Sequence, residues 1–122
     1  MNAKGIFYVL AFVSDLKRSK EFYRDKIGWK LGTDEHGVAG LAFGTGYVVL
    51  HEDRRDAKDR RYGGGMHVEV MVEDAAAEHS RLTKLGVQVT PVIDQPWGER
   101  NFNFTDPDGY VWAVGQQMGA SR

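Results

Sequence analysis

The feature that most constrains this chain is that its two halves repeat one another. The stretch YVLAFVSDLKRSKEFYRDKIGW (8–29) and the stretch HVEVMVEDAAAEHSRLTKLGV (67–87) follow the same order. Tyr8 falls on His67, Val9 on Val68, Val13 on Val72 and Asp15 on Asp74. One residue is then dropped, and Lys26-Ile27-Gly28 falls on Lys84-Leu85-Gly86. A unit repeated at this length is a supersecondary module, and the fold has to be built from two copies of it.

The residues say what the module is. Val9, Ala11 and Val13 alternate with Tyr8, Leu10 and Phe12, a period of two with apolar residues on both faces. Val68, Val70 and Val72 make one face of the matching strand; His67, Glu69 and Met71 make the other. Asp15 and Asp74 are placed to cap helices by accepting from a free backbone N–H. Leu16, Phe22, Tyr23 and Ile27 stripe the first helix, and Ala75, Leu82 and Leu85 the second. Gly28 and Gly86 suit the left-handed residue that ends a helix.

Shorter strands follow each helix, expected near 29–33, 39–44 and 46–51 and again near 87–92, 100–105 and 110–115. GTG (44–46) and TDPDGY (105–110) supply the turns. The reading is α+β, one domain over 1–122. Its modules are βαβββ over 6–51 and 67–116, with a charged, then glycine-rich, exposed linker over 52–66.

Composition narrows the function. A formal net charge of −1 argues against a nucleic-acid or anionic-membrane surface. The absence of cysteine removes disulfides, thiolate nucleophiles and zinc–thiolate sites, and is compatible with a cytoplasmic location. No apolar run approaches the ~20 residues that span a bilayer. There is no G-x-S-x-G elbow, P-loop or H-E-x-x-H.

The paired modules, the run DLKRSKEFY (15–23) and the run PWGERNFNFTDPDG (96–109) together resemble the vicinal oxygen chelate superfamily. It comprises glyoxalase I, the extradiol dioxygenases, and the fosfomycin and bleomycin resistance proteins. The resemblance covers roughly residues 6 to 116. It implies curled, cup-shaped mixed sheets enclosing a cavity, and a homodimer. It also implies a metal site with His, Gln or Glu at four positions, in the first and last strand of each module. His67 is a competent ligand at one of them. The others fall on Tyr8, Ala113 and, four residues after Gly46, Leu50. On that count no familial metal centre is expected, since a divalent site takes three or more protein ligands. A rearranged site of His67 and Glu69 with His51 or Glu52 is the alternative.

Three readings of His67 stay open: a cavity-lining or structural group, a metal ligand, and an acid or base. Tyr8, Phe12, Val48, Leu50, Met71 and His67 are expected to share the concave face. Glu69 has Arg100 or His67 as candidate partners, and Trp97 stands in a loop where it can stack on a planar ligand. One of the pairs Asn101/Asn103 and Phe102/Phe104 must face inward, and the pattern does not say which. Trp112 is expected under a helix, and His36 and His79 at the surface.

The resemblance therefore implies a small-molecule-binding protein of the antibiotic-sequestering, bleomycin-resistance kind. It would hold a planar or aromatic hydrophobic compound with Tyr8, Phe12, Leu50, Met71 and Trp97. His67, Glu69 and Arg100 would fix orientation, with no cofactor. The alternatives are a glyoxalase-type lyase, isomerase or dioxygenase using Ni, Zn, Mn or Fe around His67, and a metal-free enzyme in which His67 or Glu69 moves a proton.

Overall fold

The computed structural model describes residues 1–65 and 67–119. The chain forms two compact units, Met1–Tyr62 and Gly63–Arg122. Among the described residues each carries one mixed sheet and one α-helix, so the fold is α+β.

In the first unit the order is β1 (Val9–Val13), α1 (Leu16–Glu21), β2 (Lys30–Glu35), β3 (Val38–Phe43) and β4 (Gly46–Glu52). The sheet order is β1-β4-β3-β2, with β1 parallel to β4 and the other pairs antiparallel. Asp15 caps α1 by accepting from the Arg18 amide at 3.1 Å. The last turns of this helix, Phe22–Ile27, widen to π geometry and stop at Gly28, whose φ of 91° is left-handed.

The second unit runs β5 (Val68–Met71), α2 (Ala75–Lys84), β6 (Gln88–Val89), β7 (Ile93–Gln95), β8 (Glu99–Thr105) and β9 (Val111–Gln117). Here β5 is parallel to β9, β9 pairs β8, and β8 pairs both β6 and β7. The single strand expected over 87–92 is thus two short ones separated by Thr90-Pro91-Val92. Proline has no N–H to give a ladder, so pairing breaks there and resumes at Ile93. The TDPDGY turn is organised by Asp106. Its buried carboxylate accepts from the amides of Asp108 and Tyr110, both at 2.9 Å, and Gly109 takes φ of 89°.

In each unit one sheet face packs under the helix. In the first it carries Ala11, Val13, Ala39, Leu41, Val48 and Leu50, all buried. In the second it carries Phe102, Phe104, Trp112 and Val114, with the Phe104 and Trp112 rings stacked at 6.2 Å. Each fully buried aliphatic or aromatic side chain contributes roughly 1.5–3 kcal/mol.

Residues 52–62 cluster with the first unit, and most of them are exposed; Met66, at the end of the expected linker, lies outside the described residues. Asp53 is the buried residue among them. Its carboxylate is 2% exposed, is gripped by the Arg55 guanidinium at 2.9 Å, and lies far below the usual carboxylate range because of that bond. Arg55 in turn lies 4.0 Å over the Phe12 ring. One expectation changes here: His79 is half-buried rather than on the surface. Its Nε2 donates to the Thr90 carbonyl at 3.0 Å and its ring meets Phe102 edge-on.

Candidate functional site

Strand register settles which side chains share the open face of each sheet, the face away from the helix. In the second unit Glu69 pairs Ala113 and Met71 pairs Gly115, while Asn103 pairs Ala113 and Asn101 pairs Gly115. Residues paired across a ladder point the same way. The asparagines therefore face outward with Glu69, and Phe102 and Phe104 go to the core. This resolves the choice that the alternation left open.

Over this face lies a cavity of about 380 Å³, within the size range of small-molecule sites. His67, Glu69 and Ala113 line one side, and Asn101, Asn103 and Glu99 another. Ile93 and Trp97 form an apolar rim, 52% and 49% exposed. Trp97 is held there by its turn. Pro96 occupies the first corner, the Gly98 amide donates to the Gln95 carbonyl at 3.1 Å, and Gly98 takes φ of 85°.

Glu99 was not among the residues singled out in the sequence, because it opens a strand within a charged "GER" turn and looks solvated. It is 4% exposed. It accepts from the Asn101 amide at 2.6 Å, and Asn101 accepts from the Gln95 amide at 3.0 Å. A carboxylate only accepts, so Asn101 must turn its NH₂ to Glu99 and its oxygen to Gln95. Glu69 reaches toward the same place. A Cβ built on Gly115 would lie 2.8 Å from Glu69 Oε2 and 3.3 Å from the Glu99 carboxyl carbon. Two carboxylates thus converge above a glycine that leaves them room.

Two residues expected at the site lie elsewhere. Arg100 pairs Gln116 across β8 and β9, on the helix-covered face, and forms a two-point ion pair with Asp94 at 2.6 and 3.2 Å. That bond holds Asp94 below the ordinary carboxylate range. Leu50 pairs Ala11 and Ala39 and is fully buried; Val48 shares its face. The cause is a phase shift of one. Leu10, which falls on Glu69 in the repeat, pairs Val49, so Val49 and not Leu50 matches Ala113.

The remaining candidates divide between the units. Tyr8 and Phe12 belong to the first; Phe12 lies on its open face against the edge of the His51 ring at 5.7 Å, and Tyr8 is exposed. Met71 shares the strand face of Glu69 and is 54% exposed, but does not line the cavity.

The matching family model spans residues 5–114 and is described as the Glyoxalase/Bleomycin resistance protein/Dioxygenase superfamily. The chain belongs to this superfamily.

Similar solved structures include TnmS3, an antibiotic binding protein from Streptomyces sp. CB03234. It has TM-score 0.80 and 27% identity, over 96% of this chain and 98% of that one. A protein of unknown function from Agrobacterium tumefaciens str. C58 has TM-score 0.79 and 30% identity, over 95% and 96%. A lactoylglutathione lyase from Agrobacterium tumefaciens has TM-score 0.74 and 23% identity, over 95% and 96%, a likeness of fold alone.

The sequence resemblance implies a metal site, and the side chains present can be tested against it. With the register corrected, the four ligand positions carry Tyr8, Val49, His67 and Ala113. Valine and alanine offer no donor, and a neutral tyrosine hydroxyl is a poor metal ligand. Among the described residues no group of three or more His, Asp or Glu could hold a metal ion. Of the rearranged candidates, Glu52 faces Arg54 at 3.4 Å, and His51 shares the open-face position of Phe12. The donor set does not fit the familial centre. Among the described residues no helix is long and apolar enough to cross a membrane.

Proposed function

We propose that this member of the superfamily is a small-molecule-binding protein that holds a planar or aromatic compound in the second unit's cavity, without the familial metal. The observation that carries the reading is the cavity itself. Beside His67 there is an apolar rim with Trp97, a floor at Ala113 and a few fixed polar groups. A rigid aromatic wall with sparse, oriented hydrogen-bonding groups suits capture of a planar molecule. The likeness to TnmS3, which is named as an antibiotic binding protein, supports the same reading. Trp97 would stack, while His67, Glu69 and Glu99 would orient. Antibiotic sequestration and a homodimer belong to this proposal.

The test is a screen of planar aromatic compounds, read by tryptophan fluorescence and melting temperature. Hits are expected, and Trp97→Ala should weaken them by at least about tenfold, the ~1.4 kcal/mol that a good aromatic contact supplies. Metal content is measured on the same protein. Stoichiometric Ni, Zn, Mn or Fe that His67→Ala removes would replace this reading with the lyase, isomerase or dioxygenase one.

A further inference from the structure

The two asparagines that line the cavity differ in what surrounds them. Asn101 is bonded at both ends of its carboxamide, donating to Glu99 at 2.6 Å and accepting from Gln95 at 3.0 Å. Gln95 and Asn101 each keep a second N–H, but the bonds already made fix both amide planes. Asn103, two residues further along β8, has its main chain paired and its side chain open. Its main-chain N–H donates to Thr90 Oγ1 at 2.8 Å, and its carbonyl accepts from the Thr90 N–H at 2.9 Å. Among the described residues its carboxamide has no hydrogen-bond partner. The neighbours explain this. On one side Asn103 pairs with Ala113 of β9, which brings only a methyl group. On the other side pairing is interrupted between β6 and β7, where Pro91 has no N–H to offer. The side chain is half-buried and lines the cavity.

A carboxamide presents one acceptor and one donor side by side in a plane. Its complement is a group of the same kind, an N–H next to a carbonyl. From this we infer that Asn103 sets the ligand class of the cavity: a planar aromatic compound with a ring N–H beside a carbonyl, as in a fused lactam, paired to the Asn103 carboxamide by two hydrogen bonds. Asn103 Oδ1 accepts from the lactam N–H, and Asn103 Nδ2 donates to the lactam carbonyl. The inference rests on the binding reading above and adds the hydrogen-bonding edge of the ligand to it. Two parallel bonds in one plane orient a ring as well as hold it, and the same two-point pairing is how asparagine reads an adenine edge. A ring that lacks either group leaves part of the carboxamide unanswered inside the cavity, and a site of this kind rejects such an analogue. The pairing requires no charge on the ligand.

The experiment uses the full chain and three probes of nearly one shape, all uncharged in neutral buffer. Phenanthridinone carries the N–H and the carbonyl, N-methylphenanthridinone the carbonyl alone, and phenanthridine a single ring-nitrogen acceptor. With affinity read by calorimetry, phenanthridinone is expected to bind at least about tenfold tighter than either of the others. Asn103→Leu, similar in size and without hydrogen-bonding groups, should bring the three to within about twofold of one another. A second measurement needs no variant to fold: in the wild-type protein the Asn103 side-chain amide protons should move downfield in NMR spectra as phenanthridinone is added. Equal affinities, an advantage that survives in Asn103→Leu, or Asn103 amide signals that stay in place would each overturn the lactam assignment and leave the binding reading standing. If none of the three probes binds, the lactam assignment falls, and the binding reading falls with it only if the wider screen of planar compounds is also empty.

Discussion

The two open sheet faces descend from one pattern and have become opposites. In the first unit the face is closed by its own side chains. Tyr47 lies across Gly40, where a Cβ would run into its ring, and its hydroxyl reaches Thr33 at 3.5 Å. His51 covers Phe12, and Arg55 caps the same ring. In the second unit the matching positions carry Asn103 for Gly40, Gly115 for His51 and Glu69 for Leu10. The large groups are gone, the polar ones have arrived, and a cavity stands over the face. The comparison teaches that the repeat preserves the helix-covered side and spends its variation on the other. The buried side is held by close packing, which tolerates little change.

The largest expected effect tests the preserved side. Phe104→Ala should cost about 3–5 kcal/mol and Leu41→Ala about 2–5 kcal/mol in urea unfolding, because each deletes a fully buried side chain. A loss well under 1 kcal/mol at either site would break the claim that the two cores are equivalent.

Next come the two glycines of the open faces. Gly40→Ala should cost roughly 1–3 kcal/mol, since Tyr47 must leave the sheet, and leave ligand binding in the second unit unchanged. Gly115→Ala meets the flexible end of Glu69 at 2.8 Å and the Glu99 carboxyl carbon at 3.3 Å. It should change stability by about 1 kcal/mol yet weaken a planar aromatic ligand of the second unit's cavity by about tenfold. The same response from both variants would dissolve the contrast between a filled face and a functional one.

The smallest effect concerns how the filled face is held shut. Asp53 is kept ionised by Arg55 to a pH far below its unfolded value of ~3.9. Its stabilisation is therefore complete above that value and is lost as pH falls toward the folded-state pKa. Asp53→Asn should melt below wild type near neutrality, with the gap narrowing as pH drops below about 4. A gap that stays constant down to pH 3 would mean that Asp53 acts without its charge.

Much of this molecule was legible without coordinates. Asp15 and Asp74 cap helices, as read, because a carboxylate before an apolar-periodic run has little else to do. His67, Glu69 and Trp97 were named and do line one cavity. Arg100 and Leu50 were misplaced, and Glu99 was passed over. Those errors share a cause. A period of two identifies a strand but carries no sign. Where both phases look plausible, as in Val48-Val49-Leu50 or Arg100-Asn101-Phe102, the residues do not declare which face the helix will cover.

The sequence by itself determined the duplication, the βαβββ order, the caps and the turn positions, because each rests on residues a few places apart. The tertiary structure decided phase and burial. Which alternate residues met the helix depended on the turn joining β3 to β4 and on the pairing of β8 with β9. A shift of one residue there exchanges every side chain between core and cavity. That exchange put Leu50 in the core and Arg100 out of reach, and it brought Glu99 beside Glu69.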